Sequence, residues 1–402
     1  DLASVRREAA VSGGNGNVAE NSKLRKVSLT RLEKELQLAW ARGEEPSEAM
    51  RNLAGITRVR YVFVYPETGD LVIAGPAGDW MRDTEGRVVN RENGTPVLQL
   101  DDLAVLLRCA DSPDGRFGCR IVPRKDNLAA TQAFLQESSK QPLKPNGRER
   151  WLKQLRDTMG RQDIEVYGVD PETRVARLIV EADYHMKLIG MGLAEGVPGV
   201  ESYLATVTEP GAMDVLRWWF TLKYEALQTT NDRLAFAPQG PGVQVLSENE
   251  MLTALGERVH TGRSDDLNTR FAQSFTKHFE SLATRYPLYA ELRNVFDLAL
   301  VAALIRAEDM PAQIEWQPTA LLDDGVFTVS RMRAAAEVET VINHRVLDGK
   351  HVIAGVSGGV SVDPRPLVKA AAIQAGPHAG LDSEHRGSQL PRELPKHAWW
   401  WD

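Results

Sequence analysis

The chain has 402 residues, of which 43% are hydrophobic and 26% charged, a composition typical of a globular protein with two or three domains. Its formal net charge of −7 and the lack of a clustered Lys/Arg run argue against a nucleic-acid partner, because phosphate binding requires a basic surface. No stretch reaches the roughly 18–20 apolar residues of a membrane span, and the longest apolar run, residues 295–305, predicts a buried helix.

The N-terminal part begins with an arm and continues with helices and a hairpin. Residues 1–27 carry glycine, asparagine and mixed charge without an apolar period, which predicts a flexible arm. Thr30 and Glu33 have capping-box spacing and predict the start of a helix. A short helix at 46–55 precedes residues 61–74, which predict a β-hairpin closed by a Pro-Glu-Thr-Gly turn.

The same order of elements is predicted a second time. Residues 148–160 predict a helix, and residues 164–190 predict two strands around another Pro-Glu-Thr turn. We interpret helix plus hairpin, occurring twice, as an internal duplication. Because the turn recurs with different flanking residues, a structural role is favoured over a ligand loop for the first hairpin, residues 60–80.

The middle of the chain is predicted to be mainly helical. An aromatic-rich helix is expected at 211–227, a hairpin at 233–248, an amphipathic helix at 266–285, and a further helix from Pro287 to about residue 307.

The last part returns to strands and ends in a tail. Residues 321–329 and 341–356 each contain an Asp-Gly pair, which predicts two hairpins. Residues 363–402 lack an apolar period. Three exposed tryptophans at the end would lower solubility, so we expect Trp399, Trp400 and Trp401 to dock either on their own domain or on another chain.

The predicted fold class is therefore α+β, built from helix-plus-β-hairpin units with a helical middle and a C-terminal β portion. The predicted organisation is a flexible arm (1–27), a first helix–hairpin domain (28–145), a second helix–hairpin unit (146–210), a mainly helical domain (211–312), a C-terminal β portion (313–364) and a tail (365–402).

The two cysteines, Cys109 and Cys119, flank the turn sequence Pro113-Asp114-Gly115. A hairpin folded at this turn would place the thiols opposite each other, so a disulfide is predicted, with a stabilisation of roughly 2–3 kcal/mol. The alternatives are weaker, because a zinc site lacks a third ligand and a catalytic cysteine lacks an identifiable base. A disulfide implies an oxidising compartment.

Ser357 is the first candidate for catalysis. It lies in "GVSGG", which fits the nucleophile-elbow form G-x-S-x-G, and Asp382 and His385 follow it along the chain. However, no helix is predicted directly after it. A glycine kink in a sheet is the alternative.

A second candidate cluster is Glu181, Asp183 and His185, which would share one face of a predicted strand and could polarise a water molecule. The alternative is a solvated face of that strand. No metal site and no cofactor are predicted, since no phosphate-binding loop or haem motif is present.

Several stretches together resemble a known family: "YVFVYPETGDLVIAGPAGDW", "LQLDDLAVLLR", "RFGCRI", "EADYHMKLIGMGL" with "GVPGVESYL", and "VIAGVSGGVSVDP". They are similar to an uncharacterised family of exported proteins from planctomycete bacteria, over roughly residues 45–365. The resemblance implies an exported bacterial protein, periplasmic, cell-surface or extracellular, and transfers no catalytic residue. The start at Asp1 would fit removal of an export signal.

Two functions are compatible with these features. The first is an exported, non-enzymatic binding or assembly protein that associates with itself or with another exported protein through its arm and its Trp-rich tail, with a glycan as a further candidate partner. The alternative is an extracellular hydrolase, acting on a substrate such as polysaccharide, that uses Ser357 or the cluster around His185. An enzyme should bring such polar groups together in one concave pocket.

Overall fold

A computed structural model describes residues 14–138, 140, 145–209, 214–252, 258–347, 350–392, 394–395 and 397–402. The α+β class is confirmed: two mixed β-sheets pack with several helices around an extensive apolar core.

The first sheet combines strands from both ends of the chain. Its strands are β1 (Gly14–Asn15), β2 (Ser22–Ser28), β3 (Tyr61–Tyr65), β4 (Asp70–Ala77), β10 (Ala226–Thr229), β11 (Ala235–Gln239), β17 (Ile373–Ala375) and β18 (Trp400–Trp401). They follow the order β1-β18-β2-β4-β3-β11-β10-β17. The predicted first hairpin is confirmed as the antiparallel pair β3–β4.

The second sheet is formed by strands from the middle and the end of the chain. Its strands are β7 (Phe117–Pro123), β8 (Arg161–Tyr167), β9 (Asp214–Lys223), β12 (Gly242–Leu252), β13 (Arg258–His260), β14 (Glu337–Glu339), β15 (Ile342–Leu347) and β16 (Lys350–Val362). The order is β13-β12-β9-β16-β7-β8-β14, and β15 pairs with β16. A separate two-stranded hairpin consists of β5 (Trp80–Arg82) and β6 (Val88–Asn90).

The helices fill the space beside and between these sheets. They are α1 (Leu29–Ala41), α2 (Glu48–Arg51), α3 (Leu100–Asp111), α4 (Lys125–Ser138), α5 (Arg148–Met159), α6 (Arg174–Gly190), α7 (Tyr203–Thr206), α8 (Asp266–Lys277), α9 (Phe279–Arg285), α10 (Pro287–Ala307), α11 (Met310–Gln313), α12 (Thr319–Leu322) and α13 (Ala379–Gly387). Helix α6 packs on β16 and β7, and α10 packs on α3 and α6.

Helix α10 confirms the buried helix that the apolar run predicts. Pro287 occupies its first turn, and nearly all of its later side chains are buried. The predicted helices at 148–160 and 266–285 also form, and the helix expected near Thr30 begins at Leu29, where Ser28 caps it. Within the described residues, no helix is long and apolar enough to cross a membrane.

The prediction of a second hairpin, on which the internal duplication depended, is wrong. Residues 161–167 form the strand β8, but the turn at 171–173 leads into helix α6 instead of a strand. The hydroxyl of Thr173 accepts a hydrogen bond from the amide of Ala176 and caps this helix. The apolar side chains recur at helical spacing and are buried, namely Val175, Leu178, Ile179, Ala182, Met186 and Ile189.

The helix predicted at 211–227 is also wrong, because the described part of this range forms strand β9 and the start of β10. Its buried side chains alternate: Leu216, Trp218, Phe220 and Leu222 face the core. The hairpin predicted at 233–248 does not form either. Its two strands exist as β11 and β12, but they belong to different sheets.

Of the two Asp-Gly hairpins, one forms. Strands β15 and β16 pair antiparallel as predicted, although residues 348–349 of the turn lie outside the described residues. The hairpin predicted at 321–329 is wrong. Its first residues end helix α12, and the side chain of Asp323 accepts a hydrogen bond from the amide of Gly325, which starts a tight turn instead.

The described parts of both terminal segments form regular structure that was not predicted. Residues 1–13 lie outside the described residues, but all of strand β2 except Ser28 falls within the expected arm. The expected tail contributes β17, α13 and β18. Of the two docking alternatives for Trp399, Trp400 and Trp401, the structure has the intramolecular one, because all three are buried and strand β18 lies between β1 and β2.

The predicted disulfide is not formed, and Cys109 and Cys119 are free thiols. The hairpin that would have paired them does not exist, because Cys109 lies in helix α3 while Cys119 lies in strand β7. Both thiols are buried in the apolar core, and burial raises the pKa of the Cys109 thiol to about 11. The argument from a disulfide to an oxidising compartment therefore no longer applies.

Candidate functional site

A cleft of about 740 Å³ lies between the β5–β6 hairpin and helix α6. Helix α2, the start of α3 and residues near Ser330 complete its walls. One aromatic ring, that of Trp80, and six arginines line it: Arg51, Arg82, Arg87, Arg91, Arg174 and Arg177. Concave sites that combine an apolar surface with convergent polar groups are the usual places for ligands.

The hairpin that carries Trp80 is held close to the body of the protein by a glycine. Gly55 has a φ of +79°, and a Cβ at this position would lie 2.2 Å from the carbonyl oxygen of Gly78 and 3.1 Å from the ring of Trp80. A side chain at residue 55 would push the hairpin outwards. Glycine at this position therefore places the indole on the wall of the cleft.

The floor of the cleft contains a buried network of charges. The guanidinium of Arg174 on α6 bridges the carboxylates of Asp102 on α3 and Glu291 on α10. Arg87 reaches from the hairpin to the same Glu291, with 3.1 Å between Nε and Oε2. The network thus ties the hairpin and the three helices together, and its ions are partnered, as buried charges require.

Burial changes the pKa values of the two carboxyl groups in the floor of the cleft. It raises the pKa of Asp102 to about 6, although Arg174 opposes the shift. Burial also raises the pKa of Glu291, against the opposing charges of Arg174 and Arg87. Titratable groups with shifted pKa values in a cleft are a general mark of functional sites.

Arg51, Arg82 and Arg91 form the rim of the cleft, and their side chains are held less strongly than the arginines of the floor. Within the described part of the chain Arg82 forms no ion pair, and it donates a hydrogen bond to the carbonyl of Gly86 at 3.1 Å. Arg51 and Arg91 each pair at 2.5 Å with a solvent-exposed carboxylate, that of Glu45 and that of Asp79. Exposed ion pairs contribute only about 0–1 kcal/mol, so these guanidiniums can exchange their partners for an anionic ligand at little cost.

The cluster predicted around His185 does not converge. On helix α6, Glu181 lines the cleft and pairs with Arg177 at 2.6 Å, whereas Asp183 pairs with Lys187 inside the core. His185 lies 2.8 Å from the hydroxyl of Tyr289 through Nδ1, and burial lowers its pKa. Asp183 points to a different side of the helix from Glu181 and His185, which lie one turn apart, so the face that all three would share on a strand is lost.

Ser357 lies in the middle of strand β16 and is buried. Its hydroxyl is 3.1 Å from Oε2 of Glu250, whose other oxygen is 3.1 Å from Nδ1 of His260. The carboxylate therefore lies between serine and histidine, whereas a nucleophile requires the base beside it. The predicted partner His385 stacks on Tyr65 of the first sheet instead, with 4.7 Å between ring centroids.

Of the residues that line the cleft, only Glu181 was a candidate site residue in the sequence. Arg51, Arg174 and Glu291 come from three distant stretches, and none of them lies in a recognisable motif. The one available signal was Trp80 in "GPAGDW", directly after the first hairpin. In the described chain, no group of three or more His, Cys, Asp or Glu side chains is arranged to hold a metal ion.

A family model described as "Protein of unknown function (DUF1598)" matches residues 119–203. The matched region is about a fifth of the chain and includes all of helix α6, which contributes Arg174, Arg177 and Glu181 to the cleft, while the hairpin, α3 and α10 lie outside the match. No curated protein and no solved structure matches the chain. The match supports a region of unknown function at residues 119–203, a shorter range than the expected 45–365.

Proposed function

We propose that the protein is a non-enzymatic binding protein that holds an acidic carbohydrate in the arginine-rich cleft. The observation that carries this proposal is the convergence of rim arginines and the ring of Trp80 on one concave surface. An indole offers a flat apolar face with a polar edge, which suits the face of a sugar ring. Guanidiniums bind carboxylates and sulfates through paired hydrogen bonds.

The division between rim and floor supports binding rather than catalysis. The floor ions Arg174, Asp102 and Glu291 pair with one another and join helices α6, α3 and α10. The rim cations Arg82 and Arg91 are exposed and weakly held, which suits a reversible contact with an anion. The hydrolase alternative stays a prediction, and Ser357 and His185 lie outside this cleft.

Export from a planctomycete bacterium also stays a proposal, and its support is the resemblance of the sequence. An exported protein would meet acidic polysaccharides of cell surfaces, which agrees with the proposed ligand. Self-association also stays a proposal, although Trp399, Trp400 and Trp401 are buried within their own sheet and strands β1 and β2 of the expected arm belong to the same sheet.

Calorimetric titration tests the proposal with a galacturonate oligomer as the acidic probe and a neutral xylose oligomer of equal length. We expect the acidic probe to bind more tightly, with an affinity that falls as salt rises. Arg82→Ala should weaken binding about tenfold, because a hydrogen bond to a charged group is worth about 1.5–3 kcal/mol. Trp80→Ala should weaken the binding of both probes.

Arg120→Ala is the matched control, because Arg120 is an exposed arginine on strand β7, stacked on Tyr167 and outside the cleft. It should bind like the wild type. Failure of both saccharides to bind, or equal affinities for wild type and Arg82→Ala, would refute the proposed site.

A further inference from the structure

A second depression, of about 170 Å³, lies beside the cleft. It is lined by Trp40 at the end of α1, by the 44–46 loop and by residues 325–328. Arg51 lines both this depression and the cleft. The two depressions therefore share one residue of their walls.

The same two chain segments form the walls of both depressions. The segment before and within α2 contributes Glu45 to the smaller depression and Glu48 to the cleft. On the other side, Thr328 lines the smaller depression and Ser330 lines the cleft. The two depressions are therefore neighbours that share Arg51, and a path along both of them runs from Trp80 past Arg51 to Trp40. We call it the extended groove.

Trp40 is unusual for a large apolar side chain, because 59% of its surface is exposed. The rest of helix α1 follows the ordinary pattern, with Leu32 and Leu36 buried in the core. An exposed indole is unfavourable unless a partner covers it. Its position in the extended groove makes it a second flat surface for a sugar ring, at the opposite end from Trp80.

Arginines and carboxylates both line the groove, and most of the carboxylates are held in ion pairs, among them Glu85 with Arg87, Glu181 with Arg177 and Glu291 with Arg174. The glutamates beside Trp40 already have cationic partners, since Glu44 pairs with Arg42 at 2.8 Å and Glu45 pairs with Arg51 at 2.5 Å. Arg51 lies where the two depressions meet, and Arg82 belongs to the cleft. Two aromatic rings with guanidiniums between them match a repeating chain of rings and carboxylates.

We infer that the ligand is a polymer: an acidic polysaccharide chain that occupies the extended groove and stacks sugar rings on both Trp80 and Trp40. This inference rests on the proposed function. It adds that the ligand is a polymer and that it extends from Trp80 to Trp40. A single acidic sugar would occupy the cleft alone, whereas a longer chain would also cover Trp40.

The test is a calorimetric titration with galacturonate oligomers of increasing length. We expect affinity to rise with length and then to level off once the chain reaches Trp40. Trp40→Ala should weaken the binding of the long oligomers about fivefold and leave the shortest bound oligomer unchanged, since a ring stacked on an aromatic side chain is worth on the order of 1 kcal/mol. Trp80→Ala should weaken binding at every length.

Leu38→Ala is the control, because Leu38 is also exposed on helix α1 but lies outside the groove. It should bind every oligomer like the wild type. A gain with length that persists in Trp40→Ala would show only the larger number of binding positions on a longer chain, and would overturn the inference.

Other outcomes separate the two proposals. If the short oligomers bind and longer oligomers bind no more tightly, the extended groove is refuted while the cleft remains a saccharide site. If no oligomer binds at any length, both proposals fail. If a poly-glutamate peptide binds with dependence on Trp40 while the oligomers do not, the groove takes an acidic protein segment instead.

Discussion

Asp183 and Lys187 form an ion pair inside the protein, with 2.5 Å between Oδ2 and Nζ, and water reaches neither side chain. They lie one turn apart on helix α6, which faces the second sheet. Burial raises the pKa of Asp183, and the charge of Lys187 opposes this shift. Asp183, expected as a site residue on a strand, is thus a structural residue of the core.

We predict that Lys187→Met lowers the free energy of unfolding by about 3–5 kcal/mol, because it leaves a buried carboxylate without its cation. The double variant Asp183→Leu/Lys187→Met should recover most of this loss, since neither ion then remains. Urea denaturation measures both. Glu181→Gln, which breaks the exposed pair with Arg177 on the same helix, should cost under about 0.5 kcal/mol. Equal losses for Lys187→Met and Glu181→Gln would contradict the prediction.

The stability of the protein should depend on the protonation of Asp102. Its pKa is raised from 3.8 to about 6, so the folded state binds a proton between pH 4 and 6 that the unfolded state has released. Its contribution to stability is present at low pH and is lost as pH rises through 6. At about 1.4 kcal/mol for each pKa unit, the change is roughly 3 kcal/mol.

Asp102→Asn removes this titration. Relative to the wild type, the variant should gain about 3 kcal/mol of stability between pH 4 and pH 7. Urea denaturation at several pH values measures the difference. Asp324→Asn, at an exposed carboxylate paired with Arg108, is the control and should show a nearly constant difference. A pH-independent difference for Asp102→Asn would show that Asp102 does not take up the proton.

The C-terminal tryptophans are predicted to be needed for stability. Trp400→Ala should cost about 3–5 kcal/mol, because the side chain is buried and the guanidinium of Arg25 lies 4.7 Å from its ring. Thermal unfolding measures the loss. Trp40→Ala, at an exposed tryptophan, should change stability by less than about 0.5 kcal/mol. If Trp400→Ala unfolds at the temperature of the wild type, the described docking of the C-terminus is wrong.

Ser357 should not react as a nucleophile. It is buried and its hydroxyl faces the carboxylate of Glu250, so a fluorophosphonate probe should leave it unlabelled. Ser357→Ala should cost about 1–3 kcal/mol of stability, because Glu250 loses a hydrogen-bond donor. Mass spectrometry of the probe-treated protein provides the measurement. A stoichiometric adduct on Ser357, absent from Ser357→Ala, would instead support the hydrolase alternative.

Sequence patterns predict the elements well where one signal dominates. Helix α10 follows from Pro287 and a long apolar run, and the β3–β4 hairpin follows from its turn residues. Helix α6 was misjudged because the short window around His185 alternates like a strand, while the helical period emerges only over residues 175–189. Strand β9 was misjudged because Trp218 and Trp219 are adjacent, although only the first faces the core.

Local sequence patterns could not predict the candidate site. The cleft requires Arg51, Trp80, Arg174 and Glu291 to meet, and only the packing of α2, the hairpin, α6 and α10 brings them together. Ion pairs between residues that are far apart in the sequence produce no periodic sequence pattern. The disulfide prediction was wrong for a related reason. A turn sequence between two cysteines does not determine whether the segments on both sides of it are strands.

The position of β18 has a consequence for biosynthesis. Trp400 and Trp401 pair with β1 on one side and with Val27 and Lys26 of β2 on the other. On the ribosome, these N-terminal strands emerge long before the residues that must separate them. Strand β2 can pair with β4 early, but the contacts of β1 and β2 with β18 must wait until residue 401 has been synthesised. This edge of the sheet therefore joins segments from the two ends of the sequence, and it closes late in folding.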